Sequence, residues 1–427
     1  MRSQKITLIN GRIHTSMGVL SSASGITFEN GRITSIKNSD FNAKTGAIEP
    51  EEDYFLEDYS DKKYSNQNEK LSEKIIDLKG KTVIPGFCVS NADFLNLDSD
   101  SDLESGLKYE SESEKFDNEI INVIKNNVEK IPSKGITELW LDLDGENALR
   151  ISEILFDEAY DLIPFRLRIN FRFNSVNSLE EFLATGLRTG DGRGFMRIGA
   201  VSVGNRISPN DKRIIIETAH MAGMQVILEY NKPLLKSLNW VTRKFKKTNP
   251  RHLIINPVEN ENLFDDMRNL GFGGICDLLG NSNKIINSAF QNGIVINASA
   301  IPENAPDFFK SPLETFGELA NNGLTMAEIL SLYTWNAAWN GKVENRRGEI
   351  ALGNDADLVV LERDPFLVHP DEAAHIKIAM TFCAGKMTYC SKPELPESSE
   401  TNLQTAIIPE IIQDNFQDNL QTANQKN

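Results

Sequence analysis

Between residues 82 and 300, short apolar runs alternate with stretches whose apolar residues recur every three or four positions. Residues 82–87 are apolar up to a Pro-Gly pair, as suits a buried strand. Ile120, Ile121, Ile124, Val128 and Ile131 then follow at helical spacing. Residues 136–143 read as a second strand, with a helical stretch over 149–160. Phe165, Leu167, Ile169 and Phe171 alternate with Arg166, Arg168 and Asn170, which predicts a third. Further strands are predicted at 196–203, 225–230, 252–256, 273–277 and 293–299, with helical windows at 211–222, 234–247, 260–270 and 284–291. Eight strands alternating with helices match an α/β chain folded as a (β/α)₈ TIM-type barrel, typically roughly 250 residues long.

Flanking this middle, residues 5–13 and 25–36 are short alternating segments, and the second is broken by Glu29-Asn30-Gly31-Arg32. An Asn-Gly pair between strands favours a tight hairpin, because both residues tolerate positive φ. Residues 391–427 are polar and rich in Asn and Gln, as befits a flexible tail; Ile407, Ile408, Ile411 and Ile412 could form a short docking helix there.

Composition narrows the class. A chain of 427 residues, 40% hydrophobic and 25% charged, has room for one large domain and a smaller one. No run approaches the roughly 18 apolar residues of a membrane span. The first residues carry no apolar signal-peptide core, so a cytoplasmic location is expected. Cys88, Cys276, Cys383 and Cys390 have no metal-ligand spacing and are expected as reduced thiols. The net charge of −16 sits in three segments, 40–74, 98–119 and 391–427, which carry −5, −7 and −4. The acid therefore belongs to insertions and a tail, which disfavours nucleic-acid binding. Ser99–Asp102 and Glu110–Glu114 could hold a hard cation, though such runs are more often solvated loops. Residues 40–74, 98–118 and 396–427 are expected to be loosely ordered.

Four stretches carry a family resemblance. Val83-Ile84-Pro85-Gly86-Phe87-Cys88-Val89-Ser90-Asn91-Ala92-Asp93 resembles the amidohydrolase superfamily signature P-G-F-x-D-x-H-x-H after the first barrel strand. Residues 348–361, GEIALGNDADLVVL, resemble that superfamily's G-x-I-x-x-G-x-x-A-D-L-V-V-L, and 380–389 its final strand pair. Residues 324–338, LTMAEILSLYTWNAA, are similar to the helix before those strands in amidohydrolase family 3. The resemblance implies a β-sandwich built from both chain ends beside the barrel. It gives a map of 1–80 for the N-terminal part with an acidic insertion at 40–74, 81–344 for the barrel, 345–390 for the C-terminal part and 391–427 for the tail.

The family's activity is hydrolysis of C–N bonds, in amides or cyclic amides, by water activated on one or two metal ions at the barrel mouth. By resemblance the ligand positions here are Asn91 and Asp93 after strand one, Ser202 at strand four, Glu229 at strand five and Asn256 at strand six. Ala300 occupies the position of the aspartate that serves as ligand and base after strand eight. Imidazoles, carboxylates and a carbamylated lysine suit such a centre; serine and alanine do not. His220 falls on a helix and His252 at the start of strand six, while His14, His369 and His375 lie outside the barrel. The implied reading is a degenerate metal site: no cofactor, and a non-catalytic binding or assembly scaffold.

One alternative is a hydrolase working through an altered, oxygen-ligand site, with Asp93 and Glu229 holding a weakly bound divalent cation, or without metal. Asp142 and Asp144 are the nearby acids, and the simpler role for them is capping the next helix. Another is a shifted register concealing an ordinary metal centre, which five histidines make hard to sustain. Arg172 and Arg206, near strand ends, point to an anion in the mouth, although arginines there also make structural ion pairs. Expected partners are a small molecule at the mouth, with self-association open, and neither nucleic acid nor membrane.

Overall fold

A computed structural model describes residues 5–15, 22–41, 48–50, 73–90, 110–143, 148–204, 207–245, 251–257, 261–278, 282–300 and 310–391. Asn91, Asp93, Asp144, Arg206, residues 407–412 and most of the segments expected to be loose lie outside them.

The eight barrel strands are Phe87–Val89, Ile136–Leu143, Arg166–Phe173, Met196–Val203, Gln225–Glu229, Leu253–Ile255, Gly273–Cys276 and Ile296–Ala298. Each pairs in parallel with the next. A parallel bridge between Ser90 and Ser299 brings strand eight back to strand one. Helices lie between the strands, among them Pro209–Met221, Lys232–Lys244, Glu261–Leu270 and Ser282–Gln291. Their apolar faces and the outward residues of the strands form the main core, with Leu139, Leu167, Ile169 and Phe171 among its fully buried members. Inward residues make a second cluster inside the barrel, including Cys88, Trp140, Ala200, Ile227, Leu253 and Ile275.

Two predicted elements move. The apolar run 82–87 is not one barrel strand. Thr82–Pro85 pairs with Leu358–Leu361 and Arg12–His14 in the other sheet, and the barrel begins at Phe87. Gly86 makes the crossing because Thr137 presses against it: a Cβ there would sit 2.2 Å from the threonine Oγ1. The acidic run Glu110–Glu114, read as a solvated loop, lies in the helix Glu110–Asn127. Phe116 extends the buried stripe of Ile120 and Ile124 by one turn, enough apolar anchorage to keep that end helical.

Both chain ends build the second unit. Its ten-stranded sheet includes Lys5–Ile9, Ser22–Glu29, Arg32–Phe41, Glu73–Asp77, Ile378–Cys383 and Lys386–Cys390. Phe28 and Phe382, on strands far apart in sheet order, meet edge to face at 5.4 Å, so the sheet folds over a shared core. At the hairpin between the third and fourth strands, Asn30 and Gly31 have φ of 52° and 79°, as the Asn-Gly pair predicts.

The barrel floor, at the N-terminal ends of its strands, is where the two units join. Glu138 accepts from Trp140 Nε1 at 2.9 Å and from Arg347 Nη1 at 2.7 Å, and it also pairs with Arg197. Arg347 Nε reaches Asp355 at 2.9 Å, while Arg166 contacts Asp357 at 2.6 Å and Asp355 at 3.0 Å. Burial pushes the Glu138 carboxyl up, but Arg197 and Arg347 outweigh it and hold the group well below the usual carboxylate range. The short helix Trp335–Asn340 plugs the opening. Asn340 Nδ2 donates to Gly274 O at 2.8 Å and Asn297 Oδ1 at 2.6 Å, and Asn336 Nδ2 to Ile296 O at 2.7 Å. Arg168, fully buried, lies over the Trp140 ring at 4.3 Å and donates to Gln225 and Gly341 O.

Candidate functional site

Alternation along parallel strands decides which side chains reach the rim. Counting inward from Trp140, Arg168, Ala200, Ile227 and Ile275 brings Asp142, Arg172, Ser202, Glu229 and Asp277 to the C-terminal ends. Ser299 continues the layer after strand eight. The rim is thus lined by oxygen and guanidinium groups, and among the described residues no three of His, Cys, Asp and Glu come together as metal ligands.

On one side the polar groups are tied to each other. Asn256, left-handed at φ 46°, donates from Nδ2 to Asp277 Oδ2 at 2.7 Å and accepts from the Asp277 amide at 2.9 Å. Ser299 Oγ donates to the other Asp277 oxygen at 2.6 Å. Asp277 was missed in the sequence, although alternation from Ile275 would have found it.

On the other side is a cavity of about 150 Å³, lined by Asp142, Arg172, Ser202, Lys212, Glu229 and Tyr230 among others. Asp142 lies within strand two, and Asn170 Nδ2 donates to its Oδ1 at 2.7 Å. Asn170 Oδ1 in turn accepts from Ala200 N at 2.8 Å, so the amide ties strand three to both of its neighbours. Ser202 is 7% exposed, and its Oγ has no hydrogen-bond partner among the described residues. Glu229 is exposed at the opening.

Four of the six positions singled out in the sequence are therefore visible. Ser202 and Glu229 share the cavity, Asn256 belongs to the Asp277 cluster, and Ala300 packs as a half-buried methyl against the main core. Asn91 and Asp93 lie outside the described residues.

His220 and His252 stand behind the strands and away from the rim. Val226 N donates to His252 Nδ1 at 2.9 Å, so the proton of His252 is on Nε2, facing His220 Nδ1 at 2.9 Å. Burial depresses both rings, and for His252 the adjacent His220 adds to the effect. A histidine whose folded pKa is lowered contributes stability present above the unfolded value and lost as pH falls through the folded one. Stability to urea should therefore decline as pH drops below 6.5. A His220→Asn/His252→Asn double variant should show a flatter profile below that pH. An unchanged slope would contradict the neutral-pair assignment.

Comparison with known proteins agrees with this architecture. The profile of the amidohydrolase family matches residues 313–389. A putative amidohydrolase, YtcJ of Bacillus subtilis (strain 168), is 32% identical over 95 residues, covering 22% of this chain and 16% of that protein. A triazine hydrolase variant superposes with a TM-score of 0.61 at 13% identity, covering 90% of this chain and 94% of that one. An uncharacterized metal-dependent hydrolase from Pyrococcus horikoshii OT3 gives 0.60 at 15% identity, covering 86% and 99%. The matched segment is the floor plug and the joint to the sandwich, with Asp355 and Asp357 in its centre. No helix among the described residues is long and apolar enough to cross a membrane. In its fold this chain is similar to these hydrolases, and in residues 313–389 it resembles the amidohydrolase family.

Proposed function

We propose that this protein keeps the amidohydrolase scaffold without its hydrolytic chemistry and works by holding a small molecule at the barrel rim. The observation that carries this reading is the strand-six position. Asn256 spends both ends of its amide on Asp277, and the hydrogen bonds continue to Ser299. The donors there are already satisfied by one another.

Hydrolysis at neutral pH needs water acidified by a metal and a base to take its proton. The metal this family's fold implies does not fit the residues in place. Ser202 offers a neutral hydroxyl, Asn256 a committed amide and Ala300 nothing. Thiol chemistry is no substitute: burial, aided by Asp277, pushes the Cys276 thiol up to about 12, and burial raises Cys88 further from ionisation. The relatives carry hydrolase names, and the part of this chain that matches the family profile is residues 313–389.

Elemental analysis after dialysis is expected to find no stoichiometric zinc, iron or manganese. Amides, ureas, cyclic imides and lactones should be turned over at background rates, with none of the roughly 10⁶-fold or greater acceleration typical of enzymes, even with added divalent metal. Metal-stimulated turnover abolished by Glu229→Ala would overturn the reading. Binding of Ca²⁺ or Mg²⁺ that is lost in Asp93→Ala or Glu229→Ala would replace it with an oxygen-ligand site.

A further inference from the structure

Three large apolar side chains stand exposed where two neighbouring helices reach the barrel floor. Met221 ends the helix Pro209–Met221, and Trp240 lies near the end of the helix Lys232–Lys244. Ser237 donates to Glu217 at 2.7 Å, and further along the Phe245 backbone hydrogen-bonds the His220 ring. These ties hold the helices side by side and bring Met221 to the same end as Trp240 and Phe245. Met221 and Trp240 are each 52% exposed, and Phe245 37%. Lys244 Nζ lies 4.6 Å from the Trp240 ring centre and 5.3 Å from that of Phe245, so the two rings share one surface.

Charge on this face is one-sided. Lys236 stands one turn before Trp240, and the helix carries Lys232, Lys236, Arg243 and Lys244 with no acid. The neighbouring carboxylates are committed, Glu217 to Arg213 and Ser237, and Asp266 to Arg243 and Asn239. Among the described residues neither Lys236 nor Lys244 has a carboxylate partner. An apolar centre flanked by such cations selects a partner that is apolar on one side and acidic beside it.

The chain itself carries that segment. Ile408, Ile411, Ile412, Phe416 and Leu420 recur every three or four positions, and Glu410, Asp414 and Asp418 every four. At helical spacing the apolar set makes one stripe and the acids another beside it. Ser391, the last described residue, bonds to Ala379 O in the sandwich, which joins the barrel at its floor. Residues 392–407 between them span up to about 50 Å when extended, about the width of a folded body of roughly 300 residues.

We propose that residues 408–420 dock on the Met221–Trp240–Phe245 face of their own chain. The isoleucines and Phe416 cover Trp240, and the acids lie towards Lys236 and Lys244. A tether of this length holds the segment at an effective concentration of about a millimolar, so a contact with a Kd of about 0.1 mM is about nine-tenths formed.

Hydrogen exchange of the full chain, followed on peptides covering 408–420, tests this. Those amides should exchange at least about fivefold more slowly than in a Trp240→Asp chain at the same pH. Lys236→Glu/Lys244→Glu should lower the protection several-fold, and adding Glu410→Lys/Asp414→Lys to that chain should restore it. If Trp240→Asp fails to fold, Phe416→Asp carries the test. It should abolish the protection and raise iodide quenching of Trp240, read as the difference from the same chain carrying Trp240→Phe. Equal exchange in wild type and variant would overturn the proposal, and so would a charge swap that restores nothing. Protection that grows with protein concentration would overturn it in favour of a second copy on this face. Unprotected 408–420, with Trp240 shielded only on vesicles containing phosphatidylserine, would overturn it in favour of a lipid surface.

Discussion

Replacing Glu138 by alanine is expected to destabilise the protein by about 3–5 kcal/mol, the usual cost of removing one partner from a buried ion pair. Glu138 is 4% exposed, and its two oxygens receive Arg197, Arg347 and the Trp140 indole. Without it, Arg197 keeps the Gly341 carbonyl and Arg347 keeps Asp355, but two buried guanidinium groups lose a shared counter-charge. Glu138→Gln should cost less, since it can still accept the indole bond. Chemical denaturation of the three proteins at neutral pH checks the order, and a loss below about 1 kcal/mol for the alanine variant would contradict the network. The wild type has its own acid signature. Glu138 is depressed in the fold, so its contribution is complete above the unfolded value of 4.5 and is lost as pH falls from there. That window lies below the one set by the histidine pair.

The second large effect is expected at the plug. Asn340→Ala removes the donor to Gly274 O and Asn297 Oδ1, and leaves both acceptors buried. Unsatisfied acceptors and the space left by the amide together should cost about 2–4 kcal/mol. The backbone carbonyl of Asn340, which accepts from Gln225 Nε2 at 2.9 Å, is unaffected, so the helix should stay seated while the barrel floor weakens. A shift of the urea midpoint reports it. A midpoint unchanged from wild type would mean that the side-chain amide does not hold the floor.

How legible these features were depends on the physics behind each. The barrel strands announced themselves because period-two alternation must separate a packed lumen from a packed helix layer. Arg166, Arg168 and Asn170 between Leu167, Ile169 and Phe171 already described both faces of strand three. The C-terminal signature was legible for a different reason. Asp355, Asp357 and the Asn residues of the plug lie in that stretch and make the contacts that join the two units here. The crossing at Gly86 was not legible, because one apolar run served two sheets and nothing in its composition marks the change of partner. Nor was the extra helical turn before Ile120, where acidic residues outnumber the one apolar anchor, Phe116. At the rim, local sequence placed Ser202, Glu229 and Asn256 at strand ends but could not say who bonds to whom. The Asn256–Asp277–Ser299 cluster joins three strands and exists only in the folded ring. The Asp142–Asn170 bond is of the same kind, since its partners are on neighbouring strands.

The meeting of strands one and eight has a mechanical consequence. Among the described residues these strands share one bridge, Ser90 with Ser299, and one backbone bond there, Ala300 N to Ser90 O at 2.8 Å. Side chains do the rest: Ser90 Oγ donates to Ala298 O at 3.0 Å and accepts from Asn297 Nδ2 at 2.9 Å. A hoop held all round by ladders resists any change of circumference, whereas among the described residues this joint is held by one clasp. Stress from a molecule wedged between strands two and six can therefore relax at the clasp, on the far side of the circle, while the ionic floor stays fixed.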